Sequence, residues 1–189
     1  MFSKNQIRKI YKEKRATFTR DYISTATKKI NQTLTETILK YATKNCIIGI
    51  YKAIENEINV DETIAHLKDR NIALPWIDYT EKIMHFKLWH HNDPLEKLEN
   101  FYCLQPEKIS QTVIPSIIIT PLITCDLQGN RIGYGKGYYD KYLNQNSQKK
   151  ILSIGVCYDK NIYPEIIPCE HHDHKLDMII SEERIIKVL

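Results

Sequence analysis

The stretch SIIITPLITCDLQGNRIGYGKGYYDKYL, residues 116–143, decides the fold. It opens on the apolar run SIIIT (116–120), which reads as a buried strand, and crosses a glycine-rich loop. It ends in GYYDKYL, where a helix is expected from about 137 to 145. The next apolar run, KILSIGVCY (150–158), is a second buried strand. Strand, loop, helix and strand in this order form a βαβ unit, which joins parallel neighbours of one sheet.

The same rhythm extends towards the N-terminus. NCIIGIY (45–51), NIALPWI (71–77) and KIMHFKLW (82–89) read as strands; the last alternates Ile83, His85, Lys87 and Trp89 against Met84, Phe86 and Leu88. Asp61 is placed to cap a helix carrying Ile64 and Leu67, and LDMIIS (176–181) closes the series as a strand. Two helices come first. Ser3 with Gln6 has the spacing of a capping box. Tyr22, Ile23, Ala26, Ile30, Leu34, Ile38 and Tyr41 then recur every three or four residues along one helical face. The expected fold class is α/β, one domain over residues 1–189 with a central, mostly parallel sheet between helices.

Four of the six glycines, Gly129, Gly133, Gly135 and Gly137, fall within nine residues of the loop. Glycine lets a backbone take positive φ and approach a ligand closely. Backbone N–H groups before a helix N-terminus cradle phosphate. Arg131 and Lys136 supply positive charge there, and Asp140, one turn into the helix, is a candidate Mg²⁺ ligand. A structural loop of tight turns is the alternative. Gly137 after Lys136 rules out a Walker A loop, and Gly133-x-Gly135-x-Gly137 does not have dinucleotide-fold spacing.

Composition limits the remaining choices. The 189 residues are 42% hydrophobic and 26% charged, an ordinary globular balance. No apolar run approaches the roughly 18 residues of a membrane span. The basic start MFSKNQIRKIYKEKR has no apolar run behind it, so a cytosolic protein without a signal peptide is expected. Five scattered cysteines without a CxxC pair argue against a disulfide framework or zinc site. Residues 1–44 carry a net +8 and the remainder −4. That basic segment fits a solvated helix face, a phosphorylated ligand or nucleic acid.

GNRIGYGKGYYDKYL closely resembles the signature of the 5-formyltetrahydrofolate cyclo-ligase family, G-x-R-[LI]-G-x-G-x-G-[YF]-Y-D. Other pieces agree in order: Lys4-x-x-Ile7-Arg8, Glu57-Ile58-Asn59, Leu74-Pro75, Met84-x-Phe86, and Pro121-Leu122 through Asp126. Pro168, Glu170, His172, Asp173 and Asp177 match the family's closing pattern. The resemblance implies a three-layer α/β/α sandwich like those of sugar-phosphate isomerases and CoA-transferases. It also implies an ATP- and Mg²⁺-dependent closure of 5-formyltetrahydrofolate to 5,10-methenyltetrahydrofolate.

By the same resemblance, Lys4 and Arg8 reach the ATP phosphates, and Arg131, Ile132, Gly133, Tyr134, Gly135, Lys136, Gly137, Tyr138 and Tyr139 form the nucleotide loop. Arg131 and Lys136 are its catalytic cations, and Asp140 with Asp177 its metal site. Glu57 holds the pterin, bordered by Tyr51, Lys52, Tyr134 and Tyr138. Trp89 either stacks on the ligand or packs in the core. The expected partner is the substrate 5-formyltetrahydrofolate, mono- or polyglutamylated, bound by a monomer, with no nucleic acid and no membrane. Departures from the family pattern fall at Gln105, Cys125, Tyr134 and Asn161; Cys125 is expected to be a packing change. A transition-metal site at His171, His172 and His174 is disfavoured by their register. The rival readings are a phosphosugar isomerase, needing no nucleotide, and a nucleic-acid binder with steep salt dependence.

Overall fold

A computed structural model describes residues 2–97 and 103–188. Helix α1 (Lys4–Ala16) begins with a closed capping box: Ser3 accepts the Gln6 N–H, and Gln6 Oε1 accepts the Ser3 N–H at 2.8 Å. Helix α2 (Arg20–Tyr41) is capped by Thr19 and buries Ala26, Ile30, Leu34 and Ile38, the stripe its periodicity requires. Helix α3 (Asp61–His66) differs from expectation at its start. Asp61 is its first helical residue rather than its cap. Asn59 Oδ1 accepts the Asp61 N–H at 2.7 Å, freeing the Asp61 carboxylate to bind Lys52 at 2.7 Å.

Along the chain the strands are β1 (Ile47–Gly49), β2 (Asn71–Asp78), β3 (Ile83–Trp89), β4 (Leu95–Lys97), β5 (Leu104–Pro106) and β6 (Thr112–Val113). Then come β7 (Ile117–Pro121), β8 (Thr124–Cys125), β9 (Arg131–Ile132), β10 (Leu152–Val156), β11 (Met178–Ile180) and β12 (Ile185–Lys187), with α4 (Tyr138–Gln145) between β9 and β10. Eight of them form one sheet in the order β12-β11-β10-β7-β1-β2-β3-β6. Neighbours from β11 to β2 are parallel; β12, β3 and β6 run antiparallel at the two sides. The sheet is therefore mixed and mostly parallel.

Side-chain alternation makes the layers. Ile117 and Ile119 of β7 pack with the α2 stripe, Ile154 and Val156, while Ile118 between them joins Ala73, Phe86, Tyr142 and Leu143 on the α4 side. Both faces of the central strands are buried, which explains their continuous apolar runs. On β3 the expected alternation fails at Lys87. It is buried because its ammonium reaches the carbonyls of Lys108 and Ser110, at 2.6 and 2.7 Å. Helix α1 packs away from the sheet, with Ile7 and Tyr11 against Ile123, Ile132, Tyr163 and Ile167 around the β8–β9 ladder.

Candidate active site

Parallel strands β1, β7 and β10 send their carboxyl ends to the same side, and each leads into a candidate site segment. After β1 come Tyr51, Lys52 and the turn holding Glu57. After β7 comes the β8–β9 pinch, then the glycine loop and α4. After β10 comes Tyr158. The loop is open on one side: a Cβ placed on Gly133 or Gly137 would meet nothing within 4 Å. Gly137 supplies the N-cap of α4 at φ 68°, a left-handed conformation costly for any residue with a side chain.

Helix α1 forms the other wall. Arg8 Nε donates to Gly133 O at 2.8 Å, and its guanidinium lies 3.4 Å from a Cβ position at Gly135. Lys4 pairs with Asp173 and, at 3.4 Å, with Glu170. Lys12 stands 4.9 Å over the Tyr134 ring, and Arg15 Nη2 donates to Tyr134 Oη at 2.9 Å. Four basic residues one turn apart thus brace the loop and the segment beside it. The sequence pattern had given roles to only two of them; Lys12 and Arg15 carry no motif, and only helical spacing on the same face could have pointed to them.

The charged residues of the loop divide into two kinds. Lys136 is exposed, and no hydrogen bond or ion pair holds it among the described residues. Arg131 is nearly buried; it donates to His174 O, and its Nη2 lies 2.7 Å from Asp140 Oδ1. Its side chain is committed to the protein rather than turned towards the open face. Asp140 Oδ1 also accepts the His174 N–H at 3.1 Å. Asp177 lies where β10 and β11 begin, and its Oδ2 accepts the Ser153 N–H at 2.7 Å and the hydroxyl at 2.6 Å. Two expected metal ligands therefore have separate engagements. No cluster of three or more His, Cys, Asp or Glu side chains placed to hold an ion occurs among the described residues. Mg²⁺ in nucleotide sites needs only one or two carboxylates besides phosphate, so Asp140 beside the loop fits that part.

Glu57 lies at the centre of the other half of the site. Its Oε2 accepts the Ile54 N–H at 2.9 Å, and burial pushes its carboxyl up to about 7. Burial raises Tyr51, Tyr134, Tyr139 and Cys103, and the negative charge of Glu57 adds to each shift. Tyr51 donates to Ile58 O at 2.8 Å and is buried. Ile132 is buried with Ile7 and Tyr11 and anchors the loop; Tyr138 and Tyr139 pack on the Phe86–Tyr142 side of the sheet. Trp89 is 4% exposed in the main core, with Nε1 donating to Asp93 O at 3.1 Å and Lys52 lying 5.2 Å from its ring centre. That burial agrees with the packing alternative for Trp89.

Among the departures, Cys125 is fully buried with its sulfur 3.5 Å from Cys157 Sγ, and Gln105 Oε1 accepts the Ile77 N–H at 3.1 Å. Asn161 Nδ2 donates to Ile123 O at 2.9 Å. All three serve packing or buried hydrogen bonds. No helix among the described residues is long and apolar enough to cross a membrane.

Comparison with known proteins identifies the family and the fold. A 5-formyltetrahydrofolate cyclo-ligase from Haemophilus influenzae is 29% identical over 186 residues, 94% of this chain and 97% of that protein. One from Mycoplasma genitalium is 32% identical over 183 residues, covering 95% and 98%. Solved 5,10-methenyltetrahydrofolate synthetases share the fold. The Mycoplasma pneumoniae structure aligns with a TM-score of 0.76 at 24% identity over 96% of this chain and 99% of that one. The Aquifex aeolicus structure gives 0.82 at 22% identity, covering 98% and 92%. The family model described as "5-formyltetrahydrofolate cyclo-ligase family" matches residues 1–182, and the chain is an enzyme belonging to that ligase family.

Proposed function

We propose that this enzyme closes 5-formyltetrahydrofolate to 5,10-methenyltetrahydrofolate at the expense of ATP. The observation that carries the reading is Lys12: it stands 4.9 Å over the ring of Tyr134 in the glycine loop, and its Nζ lies 3.6 Å from Glu55 Oε2 in the turn that holds Glu57. A phosphate-type loop and the turn bearing a buried carboxyl suited to a pterin are joined through that residue. A carboxylate matches the adjacent N–H donors of a pterin ring, which a hydroxyl or amide would match less well.

In this reading the formyl oxygen on N5 attacks the γ-phosphorus of ATP, and ADP leaves. N10 then adds to the activated carbon and gives up its proton, and inorganic phosphate departs with that oxygen and takes up the proton. Such a transfer asks the protein for position and charge rather than a nucleophile. Lys136 neutralises the transferring phosphoryl group, and Arg8 keeps the loop backbone aimed at the phosphates. Arg131 fixes Asp140, which would hold a Mg²⁺ accompanying the nucleotide; the ion would neutralise phosphate charge. Asp177 has a structural engagement with Ser153 and is the weaker of the two metal candidates. Glu57 orients the pterin, with Tyr51, Tyr134 and Tyr138 beside the substrate and Lys52 at its border. The enzyme acts in the cytoplasm as a monomer.

The test is the near-ultraviolet absorbance of the methenyl product, followed with purified protein, 5-formyltetrahydrofolate, ATP and Mg²⁺. Product that requires both ATP and Mg²⁺ is expected. Folded enzyme giving none near neutral pH, with mono- and polyglutamylated substrate alike, would overturn the reading.

A further inference from the structure

The turn between β8 and β9 holds a carboxylate that no step of the proposed reaction uses. Asp126 is 1% exposed, and among the described residues no Lys, Arg or His lies within ion-pair distance of it. N–H groups hold it instead. Its Oδ1 accepts from Gln128 N at 2.9 Å and from Asn130 N at 3.0 Å, the bonds of a tight turn that Asn would form as well as Asp. Its Oδ2 accepts from Asn130 Nδ2 at 2.7 Å and from the backbone N–H of Ile167 at 2.8 Å, 41 positions along the chain. An amide NH₂ in that place would face two donors. The second oxygen, and not the turn, therefore requires a carboxylate.

The bond to Ile167 starts a run of chain that returns to the same turn, where Leu176 N donates to Gly129 O at 2.9 Å. Between these two ties the segment meets the glycine loop and the helices beside it. Asp173 pairs with Lys4 of α1, and Asn144 Nδ2 of α4 donates to His172 O at 2.7 Å. The His174 peptide accepts from Arg131 and donates to Asp140 at 3.1 Å. We propose that Asp126 is a positioning residue for nucleotide binding. It anchors residues 167–176 to the turn from which the glycine loop starts, and so sets where Lys4 and, through the His174 peptide, Asp140 stand relative to the phosphates. The proposal rests on the nucleotide reading of this loop for its kinetic consequence, though not for the anchoring. A displacement of about 1 Å in such supports is enough to weaken binding and catalysis.

Two measurements separate the anchoring from the reading beneath it. The first needs no substrate: amide hydrogen exchange followed by NMR. In Asp126→Asn the Ile167 and Leu176 amides are expected to exchange about tenfold faster relative to those of β7 and β10. The Asn130 amide, still held by Oδ1, keeps its protection. The second is kinetic. Asp126→Asn raises KM for ATP about tenfold and leaves kcat and KM for 5-formyltetrahydrofolate within about twofold, a split that a general loss of stability does not produce. Asn130→Ala removes one bond to Asp126 but keeps Ile167 tied, so its KM for ATP stays within about twofold of the wild type. Combined with Lys4→Met, Asp126→Asn adds less than its separate loss, because both act through one contact. Asp126→Ser, whose hydroxyl still accepts within the turn but is too short for Ile167, gives the same split and serves where Asp126→Asn does not fold. Unchanged or equally changed KM values in the folded variants would overturn the proposal, as would an Ile167 amide exchanging at the wild-type rate. If Ile167 is loosened but the wild type makes no product with ATP, the anchoring stands and the nucleotide reading fails.

Discussion

At the scale of single residues, Glu57 carries the sharpest conflict between stability and function. Burial raises its carboxyl from 4.5 to about 7, so the folded chain binds more protons than the unfolded chain between those values. Stability therefore falls as pH rises through that window, by on the order of 3 kcal/mol once both states are ionised. Glu57→Gln is expected to melt higher than the wild type at pH about 8 and to bind substrate more weakly, because the amide cannot accept from two pterin donors. Thermal melting at two pH values, paired with KM, checks both signs; a variant that melts lower at the alkaline pH would contradict the account. Lys136 is the opposite case. It is exposed and unheld, so Lys136→Ala should leave the melting temperature within about 1 °C while reducing kcat/KM for ATP about a hundredfold. Equal losses from Lys136→Ala and Lys136→Arg would argue that shape rather than charge matters there.

At the scale of elements, α1 is a brace rather than a cationic surface. Its core contacts are few, Ile7 and Tyr11 packing around the β8–β9 ladder, and its basic residues reach the glycine loop and the Glu170–Asp173 segment. Ser3→Ala removes the capping bond to Gln6 and is expected to cost about 1 kcal/mol, read as a lower denaturation midpoint. Arg8→Ala removes the bond to Gly133 O and should raise KM for ATP several-fold with a smaller effect on folate binding. If Arg8→Ala changed folate binding more than ATP binding, the loop would not be what α1 braces.

For the whole molecule, the sheet's close packing leaves little room at Gly155 on β10. A Cβ there would lie 2.4 Å from Leu176 Cδ1 and 2.7 Å from Leu122 Cδ2, both side chains buried. Gly155→Ala is expected to destabilise the fold by about 1–3 kcal/mol without altering KM for either substrate. Urea titration with an unchanged slope and a lower midpoint is the signature. A KM change without a stability change would show instead that β10 communicates directly with the site.

The sequence alone determined the central strands, α1, α2 and α4, because apolar period and capping are local properties that survive without tertiary context. The cluster of glycines between β8 and α4 was visible in the same way, because only glycine takes the positive φ that Gly129, Gly135 and Gly137 adopt without strain. Short pairings such as β4–β5, β8–β9 and β12 were not legible. Two- and three-residue ladders have no period to read and form only when a distant partner meets them. The candidate site divides the same way. Gly133, Gly137, Lys136 and Glu57 belong to patterns visible in the chain. That Arg131 is spent on Asp140, that Asp177 is tied to Ser153, and that Lys12 and Arg15 join the site were decided by the fold. Which partner a charge takes depends on residues separated by many positions in sequence, and burial sets the cost of leaving it without one.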